Sequence, residues 1–216
     1  MANKTERDSR GEQVLGLITH EIALQRFNAA GTLVIADTLD RVLLGWHRET
    51  DATGQEIAGG WGNPAGSKKD EETAWQTALR ETGEEFGIPH SESPSNEPLI
   101  MVVYEEGPLT LETLDIGVCY PIIIDSSSFR PGQMKPTTEV AIFQWFDMLN
   151  LQILTEAFTD HEDLWGGCWT EMVLRRWAES SQSGKCDLAL FPGMITFSRF
   201  SSGRWLTSYE RVKLNH

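Results

Sequence analysis

Three glutamates near the middle of the chain, Glu81, Glu84 and Glu85, have a spacing that suits metal-dependent chemistry. The sequence from Asp70 to Phe86 predicts a helix, and positions i, i+3 and i+4 of a helix lie close together. Like charges at that distance destabilise a helix, so the cluster favours a bound cation. Carboxylate oxygens suit Mg²⁺ or Mn²⁺, which also bind substrate phosphates. The alternative for such a cluster taken alone is a solvated acidic helix face.

The predicted helix also has an apolar face and signals at both of its ends. The apolar face contains Trp75, Ala78, Leu79, Thr82 and Phe86. Acidic residues from Asp70 onward fill the expected first turn, where the helix dipole favours negative charge. Gly87 followed by Pro89 is typical of a helix end.

Further residues at fixed spacing surround the three glutamates. The segment Gly66–Ile88 reads GSKKDEETAWQTALRETGEEFGI and follows the order G-x5-E-x7-R-E-U-x-E-E-x-G-U, where U is usually a bulky aliphatic residue. The matching residues are Gly66, Glu72, Arg80, Glu81, Glu84, Glu85 and Gly87. Thr82 departs from the pattern at one U position. This segment resembles the signature of the Nudix hydrolases.

The resemblance implies a role for each matched side chain. The implied metal ligands are the carboxylates of Glu81, Glu84 and Glu85. A further implied ligand is the backbone carbonyl of Ala65, just before the signature glycine. Many relatives have glycine where this chain has Ala65. Arg80 matches the residue that orients the glutamates through ion pairing, and Glu72 matches a glutamate that supports the helix. The implied cofactor is Mg²⁺ or Mn²⁺.

The sequence offers two candidates for the general base, one on a strand and one on the helix. Glu139 opens a predicted strand and resembles the extra glutamate that some family members bring to the metal or the water; the alternative is an ordinary acid at a strand edge. Glu84 or Glu85 could take the proton instead. We favour these helix glutamates because their place in the signature is certain. The predicted catalytic residues are therefore Glu84, Glu85, Arg80 and Glu139.

Four residues outside the signature are candidates for substrate binding. Arg48 ends a predicted strand where relatives often place a basic residue near phosphate. Trp46 and Trp61 flank the predicted site and could stack on a base, although core packing is the alternative. Tyr104 lies sixteen residues past the signature, a spacing that resembles enzymes acting on dinucleoside polyphosphates, and its alternative is also core packing. The proline expected there for ADP-ribose enzymes and the long motifs of NADH-type and coenzyme A-type members are absent.

The other apolar segments predict a mixed α/β fold. Strands are predicted at residues 31–36, 41–48, 99–104, 113–124 and 139–146, with a loop at 51–56 and a helical turn at 147–150. This order resembles the Nudix α/β/α sandwich with a mixed β-sheet. We expect a polar N-terminal segment over residues 1–23, the Nudix domain over 24–160 and a helical and strand-like C-terminal extension over 161–216.

The C-terminal extension contains a helical stripe of large side chains. It consists of Trp165, Trp169, Met172, Val173, Arg176 and Trp177. Such a stripe usually belongs to the core, and a ligand-binding role is the alternative. The extension could cover the open edge of the sandwich, form a homodimer surface or shape substrate specificity.

Composition limits the partners that we expect. The 216 residues carry a formal net charge of −14, which disfavours binding to long nucleic acid through a broad basic face. The three cysteines lack CxxC spacing, and the polar N-terminus has no apolar signal-peptide core. No apolar run approaches the length of a membrane span. We therefore expect a cytoplasmic protein that binds a small phosphorylated substrate.

Together the residues and the resemblance predict a divalent-metal-dependent hydrolase. It would cleave a diphosphate linkage in a nucleoside diphosphate-linked substrate, with a weak preference for dinucleoside polyphosphates. One alternative is a hydrolase of a non-nucleotide diphosphate, such as an inositol pyrophosphate or isoprenyl diphosphate. The other is a catalytically silent binding or regulatory module with the same fold.

Overall fold

A computed structural model of the chain describes residues 18–50, 52–89, 94, 96–105, 110–147, 164–166, 168–182, 184–191, 194–201 and 204–213. The predicted helical turn after residue 147 and the predicted domain boundary at residue 160 lie outside these ranges. Within them, no helix has the length and apolar character needed to cross a membrane.

Eleven strands and three α-helices make up the described fold. The helices are α1 (His20–Arg26), α2 (Ala74–Phe86) and α3 (Cys168–Glu179). The strands are β1 (Ala29–Ala36), β2 (Arg41–Thr50), β3 (Glu56–Gly62), β4 (Ala65–Ser67), β5 (Leu99–Glu105), β6 (Leu114–Ile124), β7 (Val140–Asp147), β8 (Ser181–Gln182), β9 (Lys185–Cys186), β10 (Met194–Ser201) and β11 (Arg204–Lys213). Leu111–Thr113 and Pro131–Gln133 form single 3₁₀ turns.

The main sheet contains a fork that positions the signature segment. Its strand order is β11-β10-β5-β6-β1-β2-β3, with β4 paired to β1 and β7 paired to β2. β1 pairs with β2 only through Val34 and Ile35 of β1, which lie opposite Leu43 and Val42 of β2. The start of β1 pairs instead with β4, and the end of β2 pairs with β3. The connection from β3 to β4 therefore lies in the gap between the two strands. There the Asn63 side-chain amide donates to the Thr32 carbonyl at 3.1 Å.

Helices cover both faces of the mixed sheet, which confirms the predicted α/β/α sandwich. α1 and α2 pack on one face, where Ala23 and Ala78 share a core cluster with Ile100 and Val118. α3 packs on the other face, and its core cluster contains Leu33, Leu44, Met101, Met172, Val173 and Trp177. The C-terminal extension thus supplies one helical layer, and its strand β10 extends the sheet along β5.

Helix α2 begins four residues later than the sequence predicts. Thr73 caps it, because the Thr73 hydroxyl accepts from the Gln76 backbone N–H while the Gln76 side chain accepts from the Thr73 backbone N–H. The first turn consequently contains no acidic residue, so the expected dipole stabilisation there was wrong. The predicted end is confirmed: Gly87 forms the C-cap with a φ of 63°.

Two other elements were not predicted. The glycine-rich segment of β3 lacks strand propensity, yet it pairs with β2 from Gly45 to Thr50. α1 spans the expected boundary between residues 23 and 24, and its Ala23 is fully buried. Both assignments depend on contacts with distant strands, which local sequence patterns do not contain.

A buried pair of hydroxyls explains the departure of Thr82 from the signature. The Thr82 side chain is fully buried, and its hydroxyl donates to the Ala78 carbonyl at 2.7 Å. The same oxygen lies 2.8 Å from the hydroxyl of Thr32 on β1. Threonine therefore replaces aliphatic packing with a hydrogen bond between α2 and the sheet, which satisfies a group that burial would otherwise penalise.

Gly83 gives a prediction about stability. It is exposed inside α2, and a Cβ added there would meet no atom within 4 Å. Gly83→Ala should therefore stabilise the fold by about 1 kcal/mol, raising Tm by roughly 2–4 °C. Gly87→Ala is the matched control: at a φ of 63° a Cβ is strained, so Tm should fall. Equal shifts in calorimetry would contradict this account.

Candidate active site

Glu85 is the most deeply buried carboxylate of the signature helix, with 3% of its surface exposed. Its Oε2 accepts from the Ala65 backbone N–H at 2.9 Å, which ties α2 to the start of β4. Burial, together with the nearby charges of Glu81 and Glu139, raises the pKa of Glu85 to about 9. Glu85 therefore keeps its proton at neutral pH unless a cation compensates the charge of the carboxylate.

Glu81 lies against the signature glycine. A Cβ added at Gly66 would fall 2.2 Å from Glu81 Oε1, so only glycine lets this loop approach the carboxylate so closely. Burial also raises the pKa of Glu81, despite its contact with Arg80. The signature glycine and glutamate thus form one packed unit.

Arg80 connects the acidic residues of the signature. Its Nε donates to Glu72 Oε1 at 2.9 Å, and its Nη1 contacts both Glu81 Oε1 and Glu84 Oε2. Its Nη2 donates to the Ser67 carbonyl at 3.0 Å. The hydrogen bonds that Arg80 donates to Glu72 lower the pKa of that carboxyl to about 2. Arg80 thus contacts all three carboxylates, and its role in orienting them stays a prediction.

Glu84 is the exposed member of the three. Its side chain is 55% exposed and also lies 3.6 Å from Lys69 Nζ. In the described part of the chain, no three His, Cys, Asp or Glu side chains converge closely enough to hold a metal ion as they stand. Arg80 occupies the space between Glu81 and Glu84, so a bound cation would require some of these contacts to lengthen.

Glu139 joins this cluster from the sheet. It immediately precedes β7 and is exposed, and its carboxyl lies within hydrogen-bonding reach of Glu85. Its backbone carbonyl accepts from the Arg48 N–H at 2.9 Å. The fold therefore brings Glu139 to the signature helix, although its role as a base stays a prediction.

The proximity of Glu139 allows a test of that role. Because we favour a helix glutamate as the base, Glu139→Gln should lower kcat by less than about tenfold, short of the 10²–10⁴-fold typical of losing a general base. Steady-state kinetics at saturating Mg²⁺ measures this. A larger loss with unchanged metal affinity would assign the base to Glu139.

His47 is a buried histidine at the site that the sequence analysis missed. It is fully buried on β2, and its Nδ1 lies 3.6 Å from Glu85 Oε1. Burial lowers the pKa of His47 to about 4, so the ring is neutral at pH 7. Neither ring nitrogen has a well-formed hydrogen bond within the described structure. The only sequence signal was one polar residue inside an apolar strand.

A cavity of about 160 Å³ is lined in part by Ala65 and Gly66, the residues that contact Glu85 and Glu81. Ala65, Gly66 and Ser67 form one wall, and residues of the C-terminal extension, including Trp165 and Trp169, form another. The indole of Trp165 also stacks on His47, with ring centroids 5.5 Å apart and planes 8° apart. The expected core role of the stripe thus holds for Met172, Val173 and Trp177, which are buried. Val173 also lines the cavity, together with Trp165 and Trp169.

The other substrate-binding candidates lie away from Glu85. On β2, Gly45 and His47 face α2, so strand alternation directs Trp46 and Arg48 to the opposite face. Trp46 donates to Glu56 Oε1 at 3.1 Å, and Trp61 packs against Phe146. Within the described structure, Arg48 Nε has no hydrogen-bond partner. None of the three residues lines the cavity.

Tyr104 packs against the core cluster beneath α1 and α2 and does not line the cavity. We therefore expect Tyr104→Ala to lower Tm while leaving the ratio of kcat/KM values among substrates unchanged. Differential scanning calorimetry and kinetics on two substrate classes check this. A rise in KM confined to dinucleoside polyphosphates would instead support the subfamily role of the ring.

Comparisons with known proteins identify the family of the chain. A family model described as NUDIX domain matches residues 25–163. No curated protein matches the chain. Similar solved structures include a NUDIX hydrolase from Nitrosomonas europaea, with 16% identity, 81% of each chain covered and a TM-score of 0.49. A C. elegans Ap4A hydrolase binary complex shows 17% identity, covering 62% of this chain and 89% of that one, with a TM-score of 0.40.

A third similar structure is the NUDIX domain of Shewanella oneidensis NrtR complexed with ADP ribose. It shows 17% identity, covers 66% of this chain and 86% of that one, and has a TM-score of 0.40. The family model matches more than half of the 216 residues and contains all of the signature segment. The chain therefore belongs to the NUDIX domain family.

Proposed function

We propose that this protein is a divalent-metal-dependent hydrolase that cleaves a diphosphate linkage in a nucleoside-linked substrate. The NUDIX domain supports a pyrophosphohydrolase. The observation that carries the proposal is the buried pair Glu81 and Glu85, held against Gly66 and Ala65 beside an exposed Glu84.

The donor set of this site fits a hard divalent cation. Glu81, Glu84 and Glu85 would hold it through carboxylate oxygens, with the Ala65 carbonyl as a further ligand, and oxygen donors suit Mg²⁺ or Mn²⁺. Among the described non-glycine residues only Leu39 and Glu71 have positive φ, so Ala65 replaces glycine without strain. The raised pKa of Glu85, caused by burial and neighbouring carboxylates, is what a cation would relieve. When bound, the cation would neutralise charge on the diphosphate and acidify a nearby water.

In the proposed reaction, the side chains of the site accept a proton and hold the carboxylates in position. A water oxygen forms the new bond to phosphorus, and the bridging oxygen leaves with the electrons of the broken P–O bond. A carboxylate of Glu84 or Glu85 accepts the proton of the water, with Glu139 close enough to Glu85 to share it. Arg80 keeps the carboxylates in place through its contacts with Glu72, Glu81 and Glu84 and does not touch substrate.

The substrate class rests on the cavity beside the site, since a space lined by Trp165 and Trp169 suits the base of a nucleoside better than a polyhydroxylated inositol ring. The preference for dinucleoside polyphosphates gains no support from Tyr104, whose side chain packs in the core. We propose a small phosphorylated substrate and a cytoplasmic location, consistent with Cys119 and Cys186 being free thiols. A homodimer stays a prediction.

A screen of phosphorylated compounds tests the proposal. Wild type and Glu85→Gln would each be incubated with the compounds in Mg²⁺ or Mn²⁺, and products identified by mass. We expect the wild type to hydrolyse nucleoside-linked diphosphates and the variant to lose that activity. Hydrolysis confined to inositol pyrophosphates or isoprenyl diphosphates would contradict the substrate class, and no hydrolysis of any compound would indicate a binding module.

A further inference from the structure

His47 is a fully buried polar side chain that the packing of its strand does not require. It lies on the same face of β2 as Leu43, which belongs to the core. Neither nitrogen of its ring has a hydrogen-bond partner within the described structure. Burial of a polar group without a partner is unfavourable, so an apolar ring of similar shape would serve the core better than histidine does.

The plane of the His47 ring is fixed by its neighbours. Trp165 stacks on it, with ring centroids 5.5 Å apart and planes 8° apart, and the Phe86 ring lies 6.2 Å away at 42°. The edge that carries Nε2 faces the backbone of Gly62, where an added Cβ would come within 3.3 Å of that nitrogen. The opposite edge, which carries Nδ1, faces the carboxyl group of Glu85 on α2.

The carboxyl group of Glu85 is thus approached from two sides. Its Oε2 accepts from the Ala65 backbone N–H at 2.9 Å, and its Oε1 lies 3.6 Å from His47 Nδ1. Both Glu85 and His47 are buried. The second distance exceeds that of a formed hydrogen bond, about 2.7–3.2 Å, so a small rotation of the carboxyl group would close it.

Imidazole suits a carboxyl group that changes its state. The neutral ring carries one N–H, which can be at either nitrogen, so Nδ1 can act as an acceptor or as a donor. His47 can therefore accept from the protonated Glu85 carboxyl group and donate to the ionised carboxylate. An apolar ring could do neither.

We propose that His47 is a positioning residue, which hydrogen-bonds Glu85 Oε1 through Nδ1 and holds this carboxyl group in the orientation that binds the cation. His47 acts through Glu85 and contacts neither cation nor substrate. Side chains that orient metal ligands in this way contribute to metal affinity. The inference rests on the proposed function, because that function makes Glu85 a cation ligand.

Three substitutions separate the Nδ1 contact from the packing of the ring. His47→Phe keeps a flat ring for stacking and removes both nitrogens, and His47→Leu removes them with a smaller side chain. His47→Asn places an amide nitrogen where Nδ1 lies. We expect the first two to weaken Mn²⁺ binding, measured by electron paramagnetic resonance, about tenfold or more, and His47→Asn to stay within about threefold of the wild type.

His20→Phe is the matched control for these titrations. His20 begins α1, and its Nε2 is likewise buried without a hydrogen-bond partner in the described structure. This variant should leave Mn²⁺ affinity unchanged. In chelator, His47→Phe should melt at or above the wild type, because it removes an unpaired polar group from the core. His47→Leu replaces it if calorimetry shows that phenylalanine does not fit beside Gly62.

Hydrogen exchange of the Ala65 amide provides a readout that requires no metal. This amide donates to Glu85 Oε2, so it should exchange faster when the carboxyl group is held less firmly. By NMR in chelator, we expect about fivefold faster exchange in His47→Phe and His47→Leu, the ratio that one ordinary hydrogen bond gives. His47→Asn and His20→Phe should exchange as the wild type does.

Each outcome of these measurements has a definite reading. Unchanged Mn²⁺ affinity in a folded His47→Phe or His47→Leu protein would overturn the inference, as would an equal loss in His47→Asn or His20→Phe. If Mn²⁺ affinity falls as expected but the compound screen shows no hydrolysis, the hydrolase is wrong and the role of His47 stands. If the wild type binds no Mn²⁺, the proposed function loses its metal site, and exchange at Ala65 decides: faster exchange supports the inference and unchanged exchange overturns it.

Discussion

Replacing Glu85 by glutamine should lower kcat by about 10²-fold or more at saturating Mg²⁺, because it removes a charge and a cation ligand while keeping the shape of the side chain. The Ala65 N–H can still donate to the amide oxygen of glutamine, so the loop should stay in place. Steady-state kinetics of the wild type and the variant measure the effect. Turnover within a few-fold of the wild type would contradict the assignment of Glu85.

The same substitution should raise the stability of the metal-free protein. Burial raises the pKa of Glu85 from 4.5 to about 9, so the folded state binds its proton more tightly than the unfolded chain does. The stability that this tighter proton binding gives to the folded state is fully present below pH 4.5, and it is lost as the pH rises toward 9. In chelator at pH 8, Glu85→Gln should therefore melt above the wild type, and near pH 4.5 the two should converge.

Glu21→Gln is the control for both measurements. Glu21 is exposed on α1, and its carboxylate accepts a hydrogen bond from the side chain of Gln25 at 3.3 Å. It should change neither kcat nor the pH dependence of Tm. A variant of Glu85 that loses activity together with stability would indicate a damaged fold and would count against a specific catalytic role.

Arg80→Lys should lower catalysis or metal affinity by about 10–100-fold, the usual cost of losing a group that orients metal ligands. Only the guanidinium can reach Glu72, Glu81 and Glu84 together while also donating to the Ser67 carbonyl. A lysine ammonium keeps the charge but lacks the planar fork. The loss should be similar for every substrate that the enzyme hydrolyses.

Arg26→Lys is the matched control for Arg80→Lys, because Arg26 is exposed and pairs with Glu112 at 3.6 Å. Kinetics on at least two substrates and a titration with Mn²⁺ provide the readouts. A defect of Arg80→Lys confined to one substrate would place the guanidinium in contact with that substrate. Activity equal to that of Arg26→Lys would remove Arg80 from the site.

The parts of the fold that the sequence predicted correctly are those whose signals are local. The C-cap at Gly87 needs only a residue that tolerates positive φ, and the first two strands show continuous apolar runs. β3 was missed because its glycines disfavour a strand, whereas pairing with β2 determines its structure. The start of α2 was misplaced because the Thr73 capping box was overlooked in favour of the acidic residues before it.

The candidate site likewise contains residues that local sequence patterns predict and residues that only the fold brings together. The signature residues and Ala65 are close in sequence, so their spacing already places them together on α2 and the preceding loop. His47, Asn63 and Trp165 come from β2, the fork and the C-terminal extension, and they meet only when the sheet has formed. Successive side chains of a strand point to opposite faces of the sheet. Because His47 faces the signature helix, its neighbour Trp46 must point away from Glu85.

Electron paramagnetic resonance can measure whether the signature carboxylates bind Mn²⁺, since the signal of free Mn²⁺ decreases as the ion binds. We expect the wild type to bind Mn²⁺ and Mg²⁺ to compete for the same site. Glu85→Gln should weaken Mn²⁺ binding by about tenfold or more, whereas Glu21→Gln should not. Equal Mn²⁺ affinity in the wild type and Glu85→Gln would contradict the claim that these carboxylates form the metal site of a hydrolase.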